Sequence, residues 1–391
     1  MKKYIILFLI LWGFIQVKGQ ISLNEFLLLV KEQNQELVTA RQQYESEIAE
    51  AKTNLTPNNP EIEFGYMKGS PSNIGNRTDF SVSQEFEFPT SYIHKNKLKN
   101  TKSLLAGFKL KIKEQEVLLD SKKSWIQYVS IKQQLNILNK RKEILEELAS
   151  QYSEMYNTGE INRLDYNKLK LKSTTLDIEY HQLINELNNK QLELNLACNS
   201  QTNIIPDELE IPDSERLNLD TLIADYKLDP ELQYYRLNIG IKEKEKNLTA
   251  SNRLPKFMAG YYSESILNEQ LYGIKAGLTI PLWENAGKVN KAKQEILFAN
   301  SEYNNKQIIL NNDLRKKHSS YENLKTQITI LSLQLDECLS DELLLKALNL
   351  GEIDLTEYFM DSELYYQSKL LLISLNKEKL LLEADLKRIY F

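Results

Sequence analysis

Apolar residues recur at every seventh position along two long stretches of this 391-residue chain. From Val289 to Leu345, steps of seven land on apolar residues at eight of nine positions. The first stretch keeps the same step from Leu98 to Ile126 before its register shifts. A seven-residue apolar repeat of this length is typical of α-helices packed as coiled coils. Neither stretch contains proline, so we predict two long helices, over 90–157 and 285–349.

Each long helix is followed by nearly the same phrase, NTGEINRLDY in the first half of the chain and NLGEIDLTEY in the second. Gly159 and Gly351 in these phrases are 192 residues apart, and Pro89 and Pro281 ahead of the long helices have the same offset. A glycine in the left-handed backbone conformation commonly ends a helix. We therefore predict two helical hairpins with these phrases at their tips. The return helices are predicted over 162–198 and 354–390.

Before each long helix, two segments alternate between apolar and polar residues, a pattern typical of amphipathic strands. Phe80 and Val82 share one face of the second segment, opposite Glu85 and Glu87, and Lys275 lies on the polar face of the fourth. The predicted strands cover 61–67, 79–88, 256–264 and 271–282. Each half of the chain is therefore predicted to be a β-hairpin followed by a helical hairpin.

The domain organisation follows from this repeat. A cleaved export signal is expected over 1–19, because two lysines precede an apolar run too short to span a bilayer; a retained membrane anchor is the alternative. The first repeat covers 20–200 and the second 231–391, each starting with a shorter helix, over 22–54 and 231–252. A connecting segment over 201–230 carries a short helix at about 217–227.

Composition excludes several functions. The net charge of −5 is spread over interspersed lysines and glutamates, which gives no basic footprint for nucleic acid. Three scattered histidines and five methionines form no metal-ligand pattern, and no phosphate loop or nucleophile motif is present. We therefore expect neither an enzyme nor a bound metal or cofactor. Cys198 and Cys338 stand alone in helical patterns, where core packing is favoured over a disulfide.

Four amphipathic strands cannot close on themselves, and an open sheet leaves exposed edges. In an exported chain, strands of this length with one apolar and one polar face match the wall of a membrane β-barrel. Only a closed barrel satisfies strand hydrogen bonds in lipid, so closure requires several copies, and three copies give twelve strands. Glu85, Glu87 and Lys275 would then face the lumen, either as solvated residues or as determinants of selectivity.

The order of these elements resembles the TolC family of outer-membrane efflux proteins over essentially the whole mature chain. The matching pieces are the strand phrases FSVSQEFEFPTSYIHKNK and LTIPLWENAGKVNKAKQEI and the two tip phrases. The resemblance implies a mainly α fold with a small membrane β-barrel, formed by a homotrimer with twelve strands and a twelve-helix tunnel. It implies a Gram-negative outer membrane, with the helices in the periplasm. The first strand phrase and PNNPEIEFGY are similar to the branch associated with heavy-metal efflux.

The resemblance also implies a function and its residues. Such a passive duct exports small molecules or metal cations that it receives from an inner-membrane pump through a periplasmic adaptor. The adaptor-docking positions carried over to the tips are Gly159, Leu164, Asp165, Gly351, Leu355 and Glu357. Acidic residues near the tips could form a gate, or could simply cap the return helices. These candidate gate carboxylates are Asp165, Asp354, Glu357 and Asp361.

The main alternative is a periplasmic or surface coiled-coil scaffold or adaptor. That alternative explains the seven-residue repeats. It does not explain two amphipathic strand pairs at equal offsets. A porin made by one chain would need more strands than the four that are predicted.

Overall fold

The computed structural model describes residues 21–53, 55–71, 74–207, 217–267, 269–337 and 341–391. The predicted signal segment, Cys338 and part of the connecting segment lie outside the described residues. The first half contains α1 (Leu23–Gln33), α2 (Gln35–Lys52), β1 (Glu61–Met67), β2 (Arg77–Phe86), α3 (Pro89–Thr158) and α4 (Arg163–Ala197). The second half contains α5 (Leu219–Asp225), α6 (Pro230–Ser251), β3 (Lys256–Ile266), β4 (Glu269–Thr279), α7 (Lys288–Glu337), α8 (Asp341–Asn349) and α9 (Leu355–Leu386).

The chain divides into two units, which we name the hairpin unit and the sheet unit. The hairpin unit comprises the described residues within 1–37, 116–217 and 317–391, and the sheet unit comprises those within 38–115 and 218–316. In the described parts of the chain, no helix is both long and apolar enough to cross a membrane.

The hairpin unit is helical and contains two main apolar cores. One core surrounds Trp125, whose ring lies 5.1 Å from that of Phe26, and includes the C-terminal end of α4. The other core joins the first helical hairpin to the second through side chains from α3, α4, α8 and α9. Its buried members are Leu138, Leu145, Leu148, Leu169, Leu176, Leu344, Leu355 and Tyr358. The leucines of α3 recur at helical spacing, so one stripe of the helix is buried.

The sheet unit contains a four-stranded antiparallel sheet in the order β1-β2-β3-β4. The two β-hairpins are joined through β2 and β3, where Phe80 pairs with Ser263 and Ser83 with Gly260. In the described sheet, β1 and β4 each pair on one side only and form its two edges.

The predicted order of strands and helices agrees with the structure, and most bounds differ by one to three residues. The β2 strand covers Arg77–Phe86 instead of 79–88, so Glu87 lies beyond the strand. The second long helix is described as α7 and α8, separated by 338–340, which lie outside the described residues. The α9 helix ends at Leu386 and is followed by a 3-10 turn, Arg388–Tyr390.

The prediction of a single helix over 22–54 is wrong, because this segment forms two helices, α1 and α2, that meet at Asn34. The Asn34 backbone is extended, with ψ of 126°. Its side-chain oxygen accepts hydrogen bonds from the amides of Glu36 and Leu37, at 2.9 and 3.2 Å, and its amide nitrogen donates to the Ala197 carbonyl at 2.8 Å. Asn34 therefore caps α2 and also binds the C-terminal end of α4. Because the contact with α4 is long-range, the local sequence pattern does not indicate it.

Candidate functional site: a two-faced sheet and two helical tips

The sheet has one apolar face that is exposed on the single chain. Ile274, Tyr272 and Phe64 are 91%, 75% and 73% exposed. Strand register places these side chains and their neighbours on one face, because Phe64 pairs with Phe80 and Tyr261 with Ile274. The alternation predicted from sequence is confirmed here. An exposed apolar surface of this extent on a sheet is typical of a surface that contacts lipid or another protein.

The opposite face carries charged side chains. Arg77, the first residue of β2, has its Nε 2.6 Å from Asp79 Oδ1 and 3.1 Å from Glu264 Oε1. Its Nη2 donates to the Tyr262 hydroxyl at 2.8 Å, and that hydroxyl lies 3.2 Å from Asp79 and 3.1 Å from Glu264. This network joins β2 to β3 across the polar face. Sequence analysis did not find it, because it depends on strand register.

The three residues predicted for the polar side have different environments. Glu85 lies on the polar face, where its carboxylate accepts hydrogen bonds from Lys256 at 3.1 Å and from Asn58 at 3.2 Å. Lys275 lies on the same face, opposite Gly260 of β3. Glu87 lies after the strand and forms an ion pair of 2.8 Å with Lys95 of α3.

At the two tips, glycine ends each outgoing helix. The φ angles of Gly159 and Gly351 are +80° and +72°. The amides that follow them donate back into the helix, Glu160 to the Met155 carbonyl at 2.8 Å and Glu352 to Ala347 at 2.9 Å. A Cβ on either glycine would meet no atom within 4 Å. Left-handed backbone geometry, not lack of space, therefore favours glycine at both tips.

The acidic residues of the second tip cap its return helix. The Asp354 carboxylate accepts hydrogen bonds from the amides of Thr356 and Glu357 at 2.7 and 2.8 Å. The Glu357 carboxylate accepts one from the Asp354 amide at 3.1 Å, which completes a capping box. These two carboxylates thus have the capping role that the sequence left open, while their charges stay exposed.

The first tip uses Asn162 as its cap. Its side-chain oxygen accepts from the Asp165 amide at 2.9 Å, and its Nδ2 donates to the Asp165 carboxylate at 2.7 Å. Lys168 lies 3.2 Å from that carboxylate and 2.9 Å from the Thr356 hydroxyl, so it connects the two tips. Asp361 lies partly buried in the second turn of α9.

The predicted docking positions differ in accessibility. Leu164 is 64% exposed, whereas Leu355 is buried in the core shared by the two hairpins. At the second tip, the exposed apolar side chains are instead those of Leu350 and Met360, which are 63% and 69% exposed. Leu355 matches the tip phrase, but it lies on the buried stripe of α9.

A polar link between the hairpins lies among the buried apolar residues. The Glu363 carboxylate of α9 accepts hydrogen bonds from Arg141 of α3, at 2.5 Å, and from Lys172 of α4. The Tyr366 hydroxyl donates to Asp341 of α8, and the Arg141 guanidinium stacks over the Tyr366 ring at 4.8 Å. Sequence analysis missed this link, which we name the Glu363 link. The sequence feature that indicates such a link is a charged residue, Arg141, on the buried stripe of α3.

The electrostatics of the Glu363 link follow from burial and charge. Partial burial acts to raise the pKa of Glu363, but hydrogen bonds from Lys172 and Arg141 outweigh burial and lower it to about 2. Burial and the nearby Asp341 charge raise the pKa of Tyr358 to about 12, against the opposing charge of Arg141. The carboxylate is therefore ionised and the phenol neutral across the physiological pH range.

Two further features bear on chemistry. Among the described residues, no group of three or more His, Cys, Asp and Glu side chains could hold a metal ion. Cys198 is a buried free thiol in the core around Trp125. Burial raises the pKa of its thiol to about 11, against the opposing effect of a backbone hydrogen bond. Such a thiol is protonated and unreactive at neutral pH.

This architecture, two β-hairpins in one sheet and two helical hairpins with glycine tips, is the fold of outer-membrane efflux channels. A membrane protein from Pseudomonas aeruginosa has a TM-score of 0.80 at 12% sequence identity, covering 95% of this chain and 91% of that one. The outer-membrane channel OprN has a TM-score of 0.78 at 10% identity, covering 94% and 89%. The Campylobacter jejuni CmeC outer-membrane channel has a TM-score of 0.73 at 14% identity, covering 94% and 85%.

The resemblance to the TolC family is therefore confirmed for the fold. No model of a known family matches the sequence. No curated protein sequence matches it either. At identities this low, fold similarity alone is established, and the function has to be argued from the sheet and the tips.

Proposed function

We propose that this chain is the outer-membrane channel of a tripartite efflux system. Three copies would form a passive duct in the outer membrane of a Gram-negative bacterium, with the helical hairpins in the periplasm. The duct would export small molecules or metal cations that an inner-membrane pump delivers through a periplasmic adaptor. No bond chemistry, cofactor or nucleic acid takes part.

One observation carries this proposal: the sheet exposes an apolar face, opposes it with a charged face, and has two edge strands that pair on one side only. In a membrane barrel, the apolar face would contact lipid and the charged face would contact water in the lumen. In hydrocarbon, the unpaired backbone groups of both edges need partners. Neighbouring copies supply them when β4 of one chain pairs with β1 of the next.

The tips support the second part of the proposal, docking of an adaptor. Leu164, Leu350 and Met360 are exposed apolar side chains beside the two glycine turns. Isolated exposed leucines are common on protein surfaces. Repetition of the same turn in both hairpins, and then in three copies, would give six related sites for a partner.

The carboxylates of the tips are proposed to act as a cation-favouring gate, and those of Asp354 and Glu357 also cap α9. Asp354 and Glu357 are exposed and Asp165 is half-buried, and all three lie close to the glycine turns. Three copies would place like charges around one opening, and carboxylate rings favour cations. Asp361 is included in the set because it follows one turn later on α9.

The lipid-facing part of the proposal is tested by placing one lysine on either face of β4. Ile274→Lys adds a charge to the apolar face, and Gly273→Lys adds the same charge to the polar face, where a side chain meets open space. A lysine in lipid costs about 2–4 kcal/mol per chain near the membrane centre. We expect Ile274→Lys to abolish heat-resistant oligomers in the outer membrane and Gly273→Lys to preserve them. Equal assembly of both variants would refute the lipid-facing assignment.

The gate is tested separately by conductance in planar bilayers. Asp354→Asn keeps a capping side chain while removing the charge. Asp354→Asn combined with Asp165→Asn is expected to reduce the preference of the pore for potassium over chloride, with little loss of folded protein. Unchanged ion preference in a conducting variant would overturn the gate and leave Asp354 as a helix cap alone.

A further inference from the structure

A cleft in the sheet unit lies between α2, α3 and α6. Its volume is about 540 Å³, which falls in the range of small-molecule sites. Five of its lining side chains are lysines. We name it the basic cleft after these residues, Lys95, Lys99, Lys102, Lys109 and Lys242.

One face of α3 forms much of this lining. Every one of its lining residues has another lining residue three or four positions away, which places them on a single side of the helix. Leu98 and Leu105 alternate with the lysines along this side. The α3 wall is therefore basic and apolar at once, and its lysine stems add further apolar surface.

The cleft has a surplus of positive charge. Its lining carboxylates are Glu47, Glu50 and Glu245, three against five lysines. Glu47 pairs with Lys109 at 2.9 Å, and Glu245 pairs with Lys242 at 2.9 Å.

Of the remaining lysines, Lys95 pairs with Glu87, which is not a lining residue. Within the described residues, Lys99 and Lys102 form no ion pair. Lys99 and Lys102 are about one helical turn apart on α3, so both ammonium groups can contact the same ligand. Glu50 is the single lining carboxylate left to oppose them.

The rest of the lining is mainly apolar, and its side chains come from all three helices and the residues after α2. These side chains are Ala51, Leu55, Leu98, Leu105, Ile241 and Leu248. A ligand that fills the cleft would bury apolar surface here while it places a negative group near the unpaired lysines. Burial of apolar area supplies affinity and the lysines supply selection for charge.

We propose that the basic cleft binds an amphipathic organic anion, with an apolar ring or chain and one carboxylate or sulfonate. The basic cleft is formed by residues of the sheet unit alone, so ligand binding there does not depend on the proposed channel function.

Two probes with the same ring system test the proposal. One is 1-anilinonaphthalene-8-sulfonate, and the other is N-phenyl-1-naphthylamine, which lacks the sulfonate. Their binding is measured by fluorescence on the full-length protein held in amphipol. The test variant is Lys99→Gln with Lys102→Gln. The matched control is Lys97→Gln with Lys111→Gln, which removes two exposed lysines of the same helix that do not line the cleft.

We expect the test variant to bind the sulfonate probe about tenfold more weakly. Each exposed pair of a lysine and the sulfonate contributes modestly to the affinity, and the variant loses two such pairs. The neutral probe should bind wild type and variant alike, and the control should bind the sulfonate as wild type does. Equal losses in both double variants, or none in either, would overturn the proposal.

Conductance of the same samples separates the two proposals. Pores with unchanged probe binding in the test variant would overturn the basic cleft alone. Selective loss of sulfonate binding in a protein that forms no pores would support the cleft and overturn the channel.

Discussion

The Glu363 link gives the sharpest test of how the two helical hairpins are held together. Replacing Glu363 by Gln keeps the shape of the side chain and removes its charge. Arg141 is only 7% exposed, so the substitution leaves a buried guanidinium without its counter-ion. Lys172 loses its partner at the same time.

The size of the effect follows from the pKa. A fall from the ordinary value of 4.5 to about 2 corresponds to about 3 kcal/mol at most between the folded and unfolded states. Because the carboxylate is about one third exposed, solvent screening reduces the expected contribution to about 1–2 kcal/mol. A depressed pKa stabilises the fold above the unfolded value, and this stabilisation is lost as pH falls from about 4.5 toward 2.

The assay is guanidinium denaturation followed by far-ultraviolet circular dichroism, at pH 7 and at pH 3. We expect Glu363→Gln to lower the free energy of unfolding by about 1–2 kcal/mol at pH 7 and by clearly less at pH 3. Glu186→Gln, an exposed carboxylate on α4, is the control and should change neither value. An equal loss for Glu363→Gln at both pH values would refute the electrostatic reasoning and indicate a packing effect.

Three other experiments test local features. Gly351→Ala should lower the free energy of unfolding by about 1 kcal/mol, because the φ angle of Gly351 is +72°. Gly240→Ala, inside α6 with open space around it, should raise the free energy of unfolding slightly. Urea midpoints that move in the same direction for both variants would contradict this. Asp354→Ala should cost about 1 kcal/mol by loss of the cap while Asp354→Asn costs little, measured in the same way, and equal costs would show that charge matters more than capping. In a Cys338→Ser background, Cys198 should react with a maleimide at pH 8 about a hundredfold more slowly than an exposed thiol, because burial raises its pKa; fast labelling of folded protein would show that it is accessible.

The sequence predicted the architecture well because the relevant signals are local and periodic. Seven-residue apolar steps identify long helices, alternation identifies strands, and a repeated glycine phrase identifies both tips. Gly159 and Gly351 are examples, since their left-handed backbone is required by the turn itself. These features need no knowledge of which elements meet.

Features that depend on long-range contacts were missed. Asn34 interrupts the first helix because its side chain also binds Ala197, and no neighbouring residue signals that partner. Leu355 matches the tip phrase but lies in the shared core. Arg141 and Glu363 are 222 residues apart, so their pairing appears only when the two hairpins are packed in register.

The central proposal, a channel closed by three chains, is tested most directly by the mass of the protein extracted from isolated outer membranes. Multi-angle light scattering in detergent, corrected for bound detergent, gives the number of chains. We predict three chains per particle, recovered from the outer-membrane fraction only after detergent extraction. A monomer or dimer recovered in buffer without detergent would contradict the channel and favour a coiled-coil scaffold or adaptor.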